Sequence, residues 1–175
     1  MFFTDQDARD ILKSPIMERI MPDLAELNDF IVAAKSETYV GDGKALPSCR
    51  SGSHDIGYDK GRWRYLDSYF GGINFAGQEV VWLDDEPVWA MNYFGRIAEP
   101  DLIDARAAGM IIKSALMRLY LDEKRFLGGF EFDHAFGRYV DRSTGTCDHF
   151  IGHEVILINE RKAYELDYRG GLIVS

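Results

Sequence analysis

Residues 75–95 read FAGQEVVWLDDEPVWAMNYFG, and residues 150–170 read FIGHEVILINERKAYELDYRG. Set 75 positions apart, the two stretches share Phe75/Phe150, Gly77/Gly152, Glu79/Glu154, Val80/Val155, Tyr93/Tyr168 and Gly95/Gly170, six identities where chance supplies about one. Val81/Ile156, Trp82/Leu157, Asp84/Asn159 and Trp89/Tyr164 keep their character. Just upstream, Arg64-Tyr65-Leu66-Asp67 matches Arg138-Tyr139-Val140-Asp141 at a spacing of 74, so one loop differs by a single residue. We read this as an internal duplication, and two copies of one supersecondary unit are expected to pack about a pseudo-twofold axis around a shared core.

Periodicity extends the reading outward. Asp23 with Glu26 forms a capping-box signal, and Leu24, Leu27, Ile31 and Ala34 then give one apolar face that ends near Lys35. The corresponding helix of the second half is expected from about Asp101 to Leu121, with Ile103, Ala107, Met110, Ile111 and Leu119 on its apolar side. Strand-like runs follow near 54–58, 62–69, 78–83 and 88–93, and again near 129–134, 136–141, 153–158 and 162–168. Asp84-Asp85-Glu86-Pro87 and Asn159-Glu160-Arg161 read as turns. Each half is then a helix plus an antiparallel meander. Together they predict an α+β domain over 23–175, with repeats at 23–97 and 98–173. Its layout is one curved sheet of about eight strands with two helices on one face. Residues 1–22 are expected to form an N-terminal arm, in which Thr4 is placed to cap a short helix through Lys13 and Pro15 to interrupt it. A hairpin closed at Leu83/Val88 sets Glu79 opposite Asn92 and, in the second half, Glu154 opposite Asp167. The other face, with Trp82, Trp89 and Tyr93, is expected to be the core.

Composition excludes several classes of partner. With 175 residues, 46% apolar and 28% charged, the chain is long enough for one well-packed soluble domain. A net charge of −9 with no basic stripe argues against direct nucleic-acid binding. No apolar run reaches the length of a membrane span. Cys49 and Cys147 are far apart and no signal segment precedes them, so both are expected as reduced thiols in a cytoplasmic protein. The expected partner is a small molecule or another protein, and a homo-oligomer is compatible with the sequence.

Glu79 and Glu154 are the polar residues that ask most for an explanation. Each interrupts an apolar strand, where an ionised carboxylate needs a partner. Paired in one cleft they suit general acid–base work or cation binding; the plain alternative is a hydrogen-bonded strut at a strand end. The loop 41–54, GDGKALPSCRSGSH, has no counterpart of its length in the second half. It offers Lys44, Arg50, Ser51, Ser53 and His54 to an anionic ligand without the spacing of a phosphate loop. The candidate ligand-binding residues are therefore Arg50, Ser53, His54, Asp67, Glu79, Asn92, Glu154 and Asp167. Cys147, His149 and His153, with His134, lack convergent metal-ligand spacing, so no metal site is expected. No GxSxG, HExxH or CxxC motif is present, and no cofactor is expected.

The runs Thr38-Tyr39-Val40-Gly41, Ser53-His54-Asp55, Tyr65-Leu66-Asp67-Ser68-Tyr69-Phe70-Gly71-Gly72 and Phe75-Ala76-Gly77-Gln78-Glu79 resemble a bacterial family catalogued as a domain of unknown function. Pro87-Val88-Trp89-Ala90-Met91-Asn92-Tyr93 and the terminal Gly170-Gly171-Leu172-Ile173 extend the resemblance over nearly all of 28–173. Members of that family occur alone or behind an XRE-type helix-turn-helix, which implies a regulatory or sensing role and supplies no activity. Three readings stay open. The first is a non-catalytic cytoplasmic binding or sensor domain. The second is a carboxylate-dependent hydrolase or isomerase with Glu79, Glu154 and His54 in a cleft. The third is an acidic inhibitor or immunity-type protein.

Overall fold

The computed structural model describes residues 21–40, 43 and 45–174. The expected helix from Thr4 to Lys13 and residue Lys44 lie outside them. Asp23 opens the first helix, α1 (Leu24–Lys35): its carboxylate accepts from the amides of Ala25 at 2.8 Å and Glu26 at 3.0 Å, donors that a helix start leaves without partners. Leu27, Ile31 and Ala34 are fully buried along one side. Beyond Lys35 the helix widens into a π-helical turn, Ser36–Val40. There Ser36 Oγ and Thr38 Oγ1 donate back to the carbonyls of Val32 and Ala34, and the loosened turn carries Tyr39.

The second helix, α2 (Ala105–Met117), starts later than its periodicity suggested. Asp104 rather than Asp101 caps it, accepting from the Ala107 amide at 2.7 Å. It also runs on into a π-helical turn, Arg118–Asp122. Its buried side is Ala108, Ile111, Ile112, Ala115 and Leu116, whereas Met110, expected inside, is 45% exposed.

The strands are β1 (Ala45–Leu46), β2 (His54–Lys60), β3 (Trp63–Gly71), β4 (Asn74–Leu83), β5 (Glu86–Ile97), β6 (Phe130–His134), β7 (Gly137–Thr146), β8 (His149–Ile158) and β9 (Arg161–Leu172). They form a nine-stranded antiparallel sheet in the order β1-β2-β3-β4-β5-β9-β8-β7-β6, so the described chain is α+β. The ninth strand beyond the eight expected is the short β1, which comes from the Gly/Ser-rich loop. Two meanders thus grow outward from a central β5–β9 pair, in which Tyr93 faces Tyr168.

The hairpin turns decide which side chains face the core, and here the sequence expectation is corrected. Asp84 and Asp85 have φ of 50° and 67°, and Asn159 and Glu160 have 50° and 62°. Each pair makes a two-residue turn, closing Leu83 on Glu86 and Ile158 on Arg161. A bulge follows, with Val88 and Ala163 as the extra residues, and then Val81 faces Trp89 and Ile156 faces Tyr164. Closure at Leu83/Val88 would have been one residue out of step, and a one-residue slip turns every side chain of a strand over. Glu79 faces Met91 rather than Asn92, and Glu154 faces Leu166 rather than Asp167. Both glutamates therefore share the core face with Tyr65, Val81, Trp89, Phe150, Ile156 and Tyr164, and Trp82 looks the other way. On that face lie the buried sides of α1 and α2. Trp89 is fixed there by its Nε1–H, which donates to the Cys147 carbonyl at 2.9 Å, and by stacking on Phe150 with ring centroids 5.7 Å apart. No helix among the described residues is long and apolar enough to cross a membrane.

Candidate functional site

Strands β3 and β4 set Asp67 opposite Glu79, and β7 and β8 set Asp141 opposite Glu154. Opposed residues on one face of an antiparallel sheet have Cβ atoms about 5 Å apart, so each meander holds two carboxyls side by side beneath the helices. A tyrosine reaches each pair from two strands away. Tyr93 Oη donates to Asp67 Oδ1 at 2.7 Å, and Tyr168 Oη donates to Asp141 Oδ1 at 2.7 Å. The rings span that distance because glycine occupies the strand between. A Cβ on Gly77 would stand 2.2 Å from the Tyr93 hydroxyl, and one on Gly152 2.0 Å from Tyr168 Cζ. Gly-x-Glu followed by Tyr is thus one device: glycine clears the path, tyrosine crosses it, and the acid pair receives the hydroxyl.

The two acid pairs differ in their cation. Lys35, at the end of α1, places Nζ 2.7 Å from Glu79 Oε1 and 2.5 Å from Oε2, with both residues only 6% exposed. The same ammonium lies 5.8 Å from the centre of the Phe126 ring. Three carboxylate oxygens are buried without a hydrogen-bond partner among the described residues: Glu79 Oε2, which the Lys35 ammonium still reaches as an ion pair, and Asp141 Oδ2 and Glu154 Oε2 of the second pair.

All four carboxyls and Lys35 line one cavity of about 500 Å³ between the helices and the sheet. Eight tyrosines line it among aliphatic side chains, with Tyr39, Tyr65, Tyr69, Tyr120, Tyr139 and Tyr164 joining Tyr93 and Tyr168. The exposed members of the lining include Gly71 and Gly72 of the β3–β4 turn and Ala105, Arg106 and Gly109 of α2, which marks the mouth. Gly109 sits inside a helix where a Cβ would meet nothing within 4 Å.

Electrostatics follow from burial. Burial pushes the Asp67 carboxyl up to about 7, the charge of Glu79 adds to this, and the Tyr93 hydrogen bond and Lys35 offset it in part. Glu154 is pushed up to about 8 by burial and then by Asp141, against a hydrogen bond from Tyr139 and the charge of Lys35. Asp141 is also raised, chiefly by burial, despite the Tyr168 hydroxyl. The phenols of Tyr93 and Tyr168 are held far above their ordinary value by burial and by the adjacent aspartates, so they remain donors. The site can hold a proton near neutrality, accept hydrogen bonds and stabilise a positive charge.

Of the candidates read from the sequence, Asp67, Glu79 and Glu154 meet in this cavity. His54 lies at its edge against Tyr69, with ring centroids 5.2 Å apart, and is not part of the lining. Arg50 is engaged on the opposite face of the sheet, where Nη2 donates to the Ser68 carbonyl at 2.6 Å and to Ser68 Oγ at 2.7 Å. Ser53 Oγ donates to the Arg50 carbonyl at 2.9 Å. Asn92 accepts from Gln78 at 3.0 Å, and Asp167 lies 2.6 Å from His153 Nδ1, both exposed and away from the cavity. Cys49 and Cys147 are free thiols. Among the described residues no group of three or more His, Cys, Asp or Glu is arranged to hold a metal ion.

Residues 67–173 match the family model described as Domain of unknown function (DUF5680). The chain belongs to the DUF5680 family. The matched segment begins at Asp67 and contains all four cavity carboxyls, while Lys35 and Tyr39 lie before it. No curated protein and no solved structure matches this DUF5680 chain. Asp141, Tyr93 and Tyr168 are not among the candidate site residues that the sequence offers. Their signal was present, since each belongs to the residues shared between the two halves. Lys35 carried no comparable signal, because a lysine in the last turn of a helix reads as a solvated terminus.

Proposed function

We propose that this DUF5680 protein is a non-catalytic binding or sensor domain whose ligand occupies the cavity between the helices and the sheet. The observation that carries this reading is open space lined by polar groups that the fold itself leaves unsatisfied. Buried carboxylate oxygens without partners cost about 1–3 kcal/mol each, and a glycine inside a helix costs about 1 kcal/mol relative to alanine. Both are found together at Asp141, Glu154 and Gly109. A cavity of about 500 Å³ has the size of sites for drug-sized molecules. The reading includes a cytoplasmic, bacterial setting and a regulatory role, after the family's company with helix-turn-helix modules. It also includes the internal duplication, supported by the Tyr93–Tyr168 pairing at the sheet centre and by the matching Asp67–Glu79 and Asp141–Glu154 registers.

The test is ligand-detected NMR with small neutral, cationic and anionic aromatic fragments on the wild type and on Gly109→Trp, which adds bulk at the mouth while leaving the four carboxyls and Lys35 in place. Fragments that bind the wild type should lose at least about tenfold in affinity to the variant. Absence of binding by every fragment, or equal binding to both proteins, would refute the reading. A carboxylate-dependent enzyme is the second reading, favoured by carboxyls that titrate at about 7 and about 8, near the range a general acid needs.

A further inference from the structure

The cavity contains its own example of what an acid pair of this geometry accepts. At the first pair, the Lys35 ammonium contacts both oxygens of Glu79 and lies near the Phe126 ring. At the second, the same strand register and the same tyrosine hydroxyl present Asp141 and Glu154, and among the described residues no lysine contacts them in the way Lys35 contacts Glu79. Asp141 is 3% exposed, its Oδ1 accepts from Tyr168, and its Oδ2 has no hydrogen-bond partner among the described residues. Glu154 Oε2 is in the same condition. Among the described residues the cations in the cavity lining are Lys35, paired with Glu79, and Arg106, exposed at the mouth, against four carboxyls. A proton on Glu154 can serve the pair from within, but once both groups are ionised they accept and cannot donate, so a ligand that displaces that proton must bring N–H or O–H donors to both oxygens. A positive charge adds attraction to the hydrogen bonds, and tyrosine faces stabilise a cation close to them.

We propose that the cavity recognises an organic cation, a protonated amine or amidinium whose N–H groups donate to Asp141 Oδ2 and Glu154 Oε2 while its apolar body lies among the tyrosine rings. This rests on the reading of the cavity as a ligand site and names the chemistry of its occupant. The ligand's charged head takes at the second pair the place that Lys35 takes at the first. The volume of about 500 Å³ and its aromatic walls suit a cation with a carbon body rather than a bare ion. Binding has a proton signature. Glu154 faces Asp141 and Tyr139 from β7, Glu79 from β4, Tyr164 and Tyr168 from β9, Lys35 from α1 and Tyr39 and Tyr120 from the two π-turns. Burial, and then Asp141, push its carboxyl up to about 8, so a cation arriving at pH 7 must displace a proton.

The experiment is isothermal titration calorimetry at pH 7 with benzamidinium, neutral benzamide and benzoate, each in two buffers of different ionisation enthalpy. Benzamidinium should bind at least about tenfold more tightly than benzamide. It should release close to one proton per molecule bound, and its affinity should rise roughly tenfold from pH 6 to pH 7. Glu154→Gln, checked to be folded by its thermal transition, should weaken benzamidinium by at least about tenfold, abolish the proton release and leave benzamide unchanged. Benzamide or benzoate binding as tightly as benzamidinium, and blocked by Gly109→Trp, would overturn the cation proposal while leaving the ligand cavity standing. Failure of all three probes and of the fragment set would remove both.

Discussion

Replacing Glu154 by glutamine should make the empty protein more stable, by an amount that depends on pH. The carboxyl titrates at about 8 in the fold instead of its ordinary 4.5, chiefly through burial and then through Asp141. Because the folded value is the higher one, the folded state holds a proton that the unfolded chain releases, and stability is lost as pH rises from about 4.5 to about 8. Below that window both states are protonated and the penalty vanishes. At pH 7 the full difference corresponds to about 3 kcal/mol, at 1.36 kcal/mol for each pH unit above 4.5. Solvent screening through the cavity mouth and the share of the proton taken by Asp141 reduce this, so Glu154→Gln should gain about 1–3 kcal/mol at pH 7 and almost nothing at pH 4. The assay is urea unfolding of both proteins at pH 4, 5, 6, 7 and 8, followed by tyrosine and tryptophan fluorescence. A variant that is destabilised by the same amount at every pH would refute the reasoning and make Glu154 a hydrogen-bonded strut of Tyr139.

Lys35→Met should cost about 3–5 kcal/mol, because it strands the buried Glu79 carboxylate without its cation, and the double variant Lys35→Met/Glu79→Met should recover most of that loss in the same unfolding assay. Gly109→Ala should stabilise the empty protein by about 0.5–1 kcal/mol, since a methyl there meets open space and alanine is the better helix former; a loss measured by thermal unfolding would show that the mouth is not open at that turn. Tyr168→Phe should cost about 1–3 kcal/mol by removing the donor to the buried Asp141 carboxyl, and it should raise that carboxyl further, read as a shift in its carbon-detected NMR titration. Gly152→Ala should be worse than Tyr168→Phe in thermal unfolding, because its methyl overlaps the Tyr168 ring 2.0 Å away and displaces the whole device.

Much of the architecture was legible from the chain. The cap at Asp23 with its apolar face placed α1, and alternation with turn residues located eight of the nine strands. Periodicity is a local property, and local physics decides whether a segment is helix or strand. The face each strand presents was not legible in the same way. Asp84-Asp85 and Asn159-Glu160 turned out to be two-residue turns with positive φ, each followed by a bulge. Neither residue pair contains the glycine that signals such a turn most strongly. One residue of register then carried Glu79 and Glu154 from the outer face to the core.

By itself, the sequence determined the inventory of the site: Tyr65, Asp67, Gly77, Glu79 and Tyr93 recur as Tyr139, Asp141, Gly152, Glu154 and Tyr168. Like residues at like spacing specify like local structure wherever they occur along a chain. Tertiary structure alone decided that the two sets share one cavity, since that depends on the β5–β9 pairing between segments far apart in sequence. It also decided that Lys35 ion-pairs with Glu79 of one acid pair, while among the described residues Asp141 Oδ2 and Glu154 Oε2 of the other have no hydrogen-bond partner. That asymmetry arises where α1 crosses the sheet, and helix packing is set by the shape of the buried surface rather than by any spacing along the chain.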